Sequence, residues 1–174
     1  MSERTERVLR VVMALGLAAL AVGIFRSFRE EIVEVGETAP EFSIITDSGR
    51  RVSRSDFGGR LLVLNFWATW CQPCLEEIPS LSELQKEFAG EGVVVLGVSV
   101  DRNEAAYRRV VAQKKVAFLT ARDPEAGISA RYGTFKYPET YLIDGRGKVV
   151  QKVIGPANWT DAAVKNQIKA LLKS

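Results

Sequence analysis

The sequence predicts an α/β domain: a central mixed β-sheet flanked by helices on both faces, with an added N-terminal β-hairpin. Three observations carry this. Leu61–Trp67 and Val93–Val100 are almost unbroken apolar runs, the pattern of strands buried on both faces. Apolar residues at helical spacing follow each run, so strands and helices alternate. Later in the chain two further runs flank Asp144-Gly145-Arg146-Gly147 as a hairpin, which makes the sheet mixed.

The elements follow in order. Val11–Phe25 is fifteen residues without a charge, with Arg4, Arg7 and Arg10 before it and Arg26 and Arg29 after it. Crossing a bilayer takes about 20 apolar residues. Val8 and Leu9, with snorkelling Arg10 and Arg26, extend the run to a span near 8–26. Ala19-Leu20-Ala21 has the small-x-small pattern of a signal-peptide cleavage site. The apolar run continues past it through Ile24 and Phe25, which favours an uncleaved anchor. Glu30 and Glu31 accompany the arginines on the far side, so the positive-inside rule places the N-terminus in the cytoplasm. The expected division is an anchor and short linker at 1–31 and one domain at 32–174, about 140 residues, an ordinary single-domain size.

Within that domain, Phe42–Ile45 and Arg51-Val52 flank Asp47-Ser48-Gly49 as the added hairpin. After the Leu61–Trp67 strand, Cys74, Ile78, Leu81, Leu84, Gln85 and Phe88 form one stripe of a helix, which Pro79 should kink. Asn103 suits the cap of a helix through Ala106, Tyr107, Val110 and Val111. Asp123-Pro124 reads as the N-cap and first turn of a short helix ending at Gly133. Tyr141–Ile143 and Val149–Ile154 are the strands of the late hairpin, and Thr160 starts a last helix with Val164, Ile168, Leu171 and Leu172 on its apolar face.

Composition narrows the function. A net charge of +3, with basic residues interleaved among acids, gives no support for nucleic-acid binding. The chain has two cysteines, Cys71 and Cys74, and no histidine. A zinc site normally needs four Cys or His ligands, so no metal is expected. A purely structural bridge over two residues would constrain little unfolded-chain entropy. Cys71 sits at a helix start, where free N–H groups and the helix dipole stabilise a thiolate. Cys74 lies in register with the apolar stripe. The pair therefore predicts dithiol–disulfide exchange, with Cys71 an exposed nucleophile and Cys74 a buried resolving thiol. Trp67 and Trp70 flank it as an apolar collar, Trp67 being the one better suited to the core. Trp159 carries no functional argument.

Phe66-Trp67-Ala68-Thr69-Trp70-Cys71-Gln72-Pro73-Cys74 resembles the active-site segment of the thioredoxin superfamily. The wider chain resembles its membrane-anchored, extracytoplasmic TlpA/ResA/CcmG-like thiol–disulfide oxidoreductases. That likeness runs from Val35-Gly36-Glu37-Thr38-Ala39-Pro40-Glu41-Phe42 to Gly155-Pro156, through Val98-Ser99-Val100-Asp101 and Tyr137-Pro138-Glu139-Thr140. The resemblance implies a thioredoxin-like fold and a cis Pro138 opposite the cysteines, with Trp70 and the Tyr137 backbone available to an extended substrate; the alternative is a trans proline opening an ordinary strand. It also places an acid at Glu77, about 60° from Cys74 around an ideal helix, as a proton shuttle. The competing reading is a surface glutamate in a favourable first turn, as expected for Glu76. Glu139 either tunes Cys71, or meets a cationic partner, or points outward from its strand. Asn65 departs from the aspartate of cytoplasmic thioredoxins, and an amide cannot relay a proton.

By the same resemblance the protein is a periplasm-facing, single-pass inner-membrane reductase without a cofactor. Its substrates are protein disulfides, apocytochrome c haem-attachment cysteines favoured, and a CcdA- or DsbD-like membrane protein supplies its electrons. Two other classes compete. The leading segment and Asp56-Phe57-Gly58-Gly59-Arg60 also resemble peroxiredoxins, but the Pro-x-x-x-Thr-x-x-Cys signature is missing, with Ala68 and Leu64 at its positions. A thioredoxin-fold copper-binding module would add histidine or methionines. Here Met1 and Met13 both lie outside the domain.

Overall fold

The computed structural model describes residues 3–27 and 32–173, the side chains at 3, 5, 6, 9 and 22–27 excepted. The chain divides into two compact units, 1–31 and 32–174. The first is a helix, α1 (Glu3–Ser27). Among the described residues no helix is long and apolar enough to cross a membrane. The span expected at 8–26 ends on side chains outside that description, and so does the orientation signal at Arg29, Glu30 and Glu31.

The second unit opens with the hairpin β1 (Ser43–Ile45) and β2 (Arg51–Ser53). Its central sheet contains β3 (Leu61–Trp67), β4 (Val93–Ser99), β5 (Leu119–Arg122), β6 (Glu139–Ile143) and β7 (Val149–Ile154), in the order β5-β4-β3-β6-β7. β3, β4 and β5 are parallel, while β6 and β7 run antiparallel to their neighbours. Its α-helices among the described residues are α2 (Gln72–Phe88), α3 (Glu104–Gln113), α4 (Gly127–Arg131) and α5 (Ala162–Leu171). This is the thioredoxin-like arrangement, with the hairpin as a separate two-stranded sheet.

All seven residues of β3 are buried, and alternation sends them to two cores. Leu62, Leu64 and Phe66 pack with Phe42, Tyr132 and Tyr141 on one face. Leu61 and Val63 pack with Leu81, Leu84, Phe88 and Trp159 on the other. Burial of each such side chain contributes about 1.5–3 kcal/mol, so the central strand is the best-anchored element and a firm base for the loop that leaves it.

Several details depart from the sequence reading. β5 was not anticipated; its Leu-Thr-Ala-Arg run is short and mixed, and it pairs because β4 offers a ladder on one side. The hairpin reaches its other side through the Thr46–Ala121 bridge. The helix expected after Asp123-Pro124 begins only at Gly127. Ala126, at φ 53°, intervenes as a left-handed residue, and the Asp123 carboxylate accepts the Ile128 N–H at 2.7 Å from a turn outside the helix. α5 begins at Ala162 because Thr160 is held in a turn, its N–H and hydroxyl both donating to Asn158 Oδ1 at 3.1 and 2.6 Å. Pro79 lies inside α2 as the sequence reading has it, with the Ser80 hydroxyl donating to the Glu77 carbonyl at 2.9 Å.

Candidate active site

β3 ends at Trp67, and the turn Ala68-Thr69-Trp70 delivers the chain to α2. The Cys71 N–H closes that turn on the Ala68 carbonyl at 3.2 Å. Cys71 is then the N-cap of α2, its Sγ accepting the Cys74 N–H at 3.3 Å, and Pro73 occupies the first turn without costing a needed donor. Cys71 and Cys74 are joined as a disulfide. Cys71 is more enclosed than expected, 6% exposed against 0% for Cys74, because Trp67, Ala68, Ile78, Val100 and Tyr107 pack around the pair. Of the two sulfurs it is nevertheless the one that meets the surface.

Trp70 is 68% exposed, and its ring meets Tyr137 edge-on with centroids 5.8 Å apart. The Tyr137-Pro138 bond is cis, and Pro138 is buried just before β6. Its carbonyl accepts the Gly155 N–H at 2.9 Å, which ties this loop to the end of β7. Trp67 belongs to the core.

Glu77 is not a surface glutamate. It is 3% exposed, with Oε1 accepting from Asn65 Nδ2 at 2.6 Å and Oε2 accepting from the Ala157 N–H at 3.1 Å and from Trp159 Nε1 at 3.5 Å. The Asn65 amide also donates to Thr140 Oγ1 at 2.9 Å. Burial pushes the Glu77 carboxyl above the ordinary carboxylate range, and the donors from Ala157, Asn65 and Trp159 pull against it. A recess of about 270 Å³ between Glu76, Glu77, Ser80 and the Pro156-Ala157-Asn158 loop opens beside it. Glu76 is exposed and accepts from the Gln72 side chain at 3.0 Å.

Glu139 is buried as well, against the outward-pointing alternative. Its cationic partner lies within the chain: Lys152 Nζ stands 3.1 Å from Oε1, which also accepts the Tyr141 hydroxyl at 3.2 Å. Lys152 additionally lies 5.3 Å over the Tyr141 ring and donates to the Val33 carbonyl at 3.3 Å. Register separates the two acids. Asn65 pairs with Thr140 on the face towards α2, while Phe66 and Glu139 belong to the opposite face. The structure thus brings together Cys71, Cys74, Trp70 and Tyr137, with Pro138 next along the chain from Tyr137 and Glu77 three residues beyond Cys74 on α2, and places Glu139 in a separate polar cluster.

Two residues at the site had no role in the sequence reading. Trp159 donates to Glu77, although it lies far along the chain and carries no functional argument in the sequence. Asp101, 3% exposed, accepts the Thr69 N–H and hydroxyl at 2.9 and 2.6 Å and the Ser99 hydroxyl at 2.6 Å. The available signal was an acid closing an apolar strand in the Val98-Ser99-Val100-Asp101 segment.

Comparison with known proteins agrees with this geometry. The AhpC/TSA family matches residues 35–152. The thiol-disulfide oxidoreductase ResA of Bacillus cereus is 31% identical over 98% of this chain and 97% of its own. That of Geobacillus thermodenitrificans is 34% identical, covering 100% of this chain and 98% of its own. A crystal structure from Chlorobium tepidum, described as a candidate thiol:disulfide interchange protein DsbE, superposes with a TM-score of 0.75 at 31% identity, covering 80% of this chain and 99% of that one. The chain belongs to the AhpC/TSA family, and with its Cys71–Cys74 pair it is a thiol–disulfide oxidoreductase of the ResA/DsbE type.

Proposed function

We propose that this protein reduces protein disulfides outside the cytoplasm, with the haem-attachment cysteines of apocytochrome c as the favoured substrate. The observation that carries the exchange chemistry is Glu77, a buried acid one helical turn from Cys74, with a recess leading to solvent. The reductive direction rests on Gln72-Pro73 standing between the cysteines, where oxidising relatives often carry a histidine. In the reduced protein the Cys71 thiolate attacks a partner disulfide, breaking its S–S bond and forming a mixed disulfide. Glu77 takes the proton of Cys74, whose thiolate attacks Cys71 Sγ. The partner leaves as a dithiol with two electrons gained, and the Cys71–Cys74 disulfide remains. A CcdA- or DsbD-like membrane donor then reduces that disulfide.

Residues near 8–26 anchor the protein in the membrane in this reading. Support comes from the uncharged Val11–Phe25 stretch inside α1 and from its flanking arginines. The anchor keeps the domain near a membrane-embedded donor at high effective concentration. The wall of Trp70 and Tyr137 beside Cys71 suits an extended segment laid across the cysteines.

The test is the redox state of Cys71 and Cys74 in cells, with and without the membrane donor. A reductase is mostly dithiol while the donor is intact; a pair found largely as disulfide then overturns the assignment. Cys74→Ser, which stalls the mixed disulfide, captures the substrate, and the cysteine motif of the captured protein decides the apocytochrome question.

A further inference from the structure

We propose that Asp101 is the positioning residue of the dithiol turn. Its buried carboxylate holds Thr69, and through the 68–71 turn it sets where Cys71 Sγ and Trp70 stand against Tyr137. The inference rests on reading Cys71 as the attacking thiol in protein-disulfide exchange.

The geometry begins with the parallel pair β3 and β4, whose register runs to Trp67 opposite Ser99. The Val100 N–H donates to the Trp67 carbonyl at 3.0 Å, continuing the pairing one residue past β4. Beyond it β3 has no further strand partner, and the chain turns towards α2. Asp101 supplies the next rung with its side chain. Oδ2 accepts the Thr69 N–H at 2.9 Å, and Oδ1 accepts the Thr69 hydroxyl at 2.6 Å. The carboxylate is itself fixed: the Ser99 hydroxyl donates to Oδ2 at 2.6 Å and receives the Asp101 N–H at 3.1 Å. From the far side Arg122 donates to the carbonyls of Asp101 and Arg102 at 3.4 and 3.2 Å. Backbone and side chain of Asp101 are therefore both held, and Thr69 is the part of the site they hold.

Thr69 is two residues from Cys71. The same turn closes through the Cys71 N–H on Ala68, and the residue between is Trp70, whose ring meets Tyr137. A shift at Thr69 moves the sulfur and the aromatic wall together. Two carboxylate oxygens serve three donors here. An amide can still meet both groups of Thr69, its oxygen taking the N–H and its NH2 donating to the hydroxyl oxygen, so the informative substitution is Asp101→Ala, which removes every acceptor.

The experiment uses the full-length reduced protein and two probes: a small symmetrical aromatic disulfide, and a short peptide with an internal disulfide. A small disulfide needs only the sulfur; the peptide must also lie along Trp70 and Tyr137. Thr69→Val and Asp101→Ala should slow the peptide reaction about tenfold or more while changing the small-disulfide rate by about twofold at most, as expected when orientation is lost and reactivity kept. Thr69→Ser, which retains the hydroxyl, should match the wild type on both. Thermal unfolding checks that each variant is folded, and the Thr69 pair carries the test if Asp101→Ala is not. Rates that fall in parallel on both probes, or on neither, overturn the proposal and leave Asp101 a structural residue. A wild-type protein inert towards the peptide overturns the protein-disulfide reading, and the proposal with it, before any variant is made.

Discussion

Asn65 on β3 donates its side-chain amide to Glu77 on α2 at 2.6 Å, linking the central strand to the helix that Cys71 caps and Cys74 belongs to. The amide that cannot relay a proton is the donor that holds a buried acid in place.

That arrangement fixes a pH dependence. Burial raises the folded-state pKa of Glu77 above its ordinary 4.5, so the folded protein binds this proton more tightly than the unfolded chain. The stabilisation is fully present below about 4.5 and is lost as pH rises through the higher folded value. Unfolding free energy of the disulfide form, in which the cysteines do not titrate, should fall across that window in the wild type. Glu77→Gln should remove this part of the slope, whereas Glu76→Gln should leave it unchanged. Equal slopes in all three proteins would return Glu77 to a spectator role.

Selective labelling follows from exposure. In the reduced protein Cys71 should react first with iodoacetamide, because Cys74 is wholly buried behind it. Mass spectrometry after a brief reaction reads the site directly, and faster labelling of Cys74 would reverse the assigned roles.

Lys152→Met should destabilise the fold by about 3–5 kcal/mol, since Glu139 is left as a buried charge without its ion-pair partner. Adding Glu139→Gln should recover a large part of that loss. Denaturant titration of the single and double variants measures both, and additive losses would mean that the pair is not coupled.

Gly97→Ala places a methyl 2.8 Å from Phe118 Cε2 and 3.1 Å from Trp67 Nε1. Overpacking of this kind costs about 1–3 kcal/mol. The denaturation midpoint should drop with little change in slope, and a neutral substitution would show that Phe118 yields freely.

Legibility in the sequence tracked locality. β3, β4, the late hairpin and the Asn103 cap are written in contiguous residues, and the Asn103 side chain accepts the Ala106 N–H at 3.0 Å as its position implied. The cysteines at a helix start were legible for the same reason. What escaped depends on partners distant in the chain. β5 forms against β4 and the hairpin, and Trp159 reaches Glu77 across 82 positions. Asp101 meets Thr69 across 32, and nothing near Glu139 announced that Lys152 would neutralise it. A helical wheel could place Glu77 at the border of the buried face, but only the packed sheet supplies the donors that keep it inside.

Of the three tryptophans, Trp67 and Trp159 are sealed in the core and Trp70 stands in solvent beside the cysteines. The protein therefore carries its own optical reporter. Trp70 is the indole open to a collisional quencher and the one that a docking polypeptide would cover. Tryptophan emission is sensitive to a neighbouring disulfide, and Trp67 packs around the Cys71–Cys74 pair, so the sealed ring is placed to follow the opening or closing of that bond while Trp70 follows the arrival of a partner, with no added label.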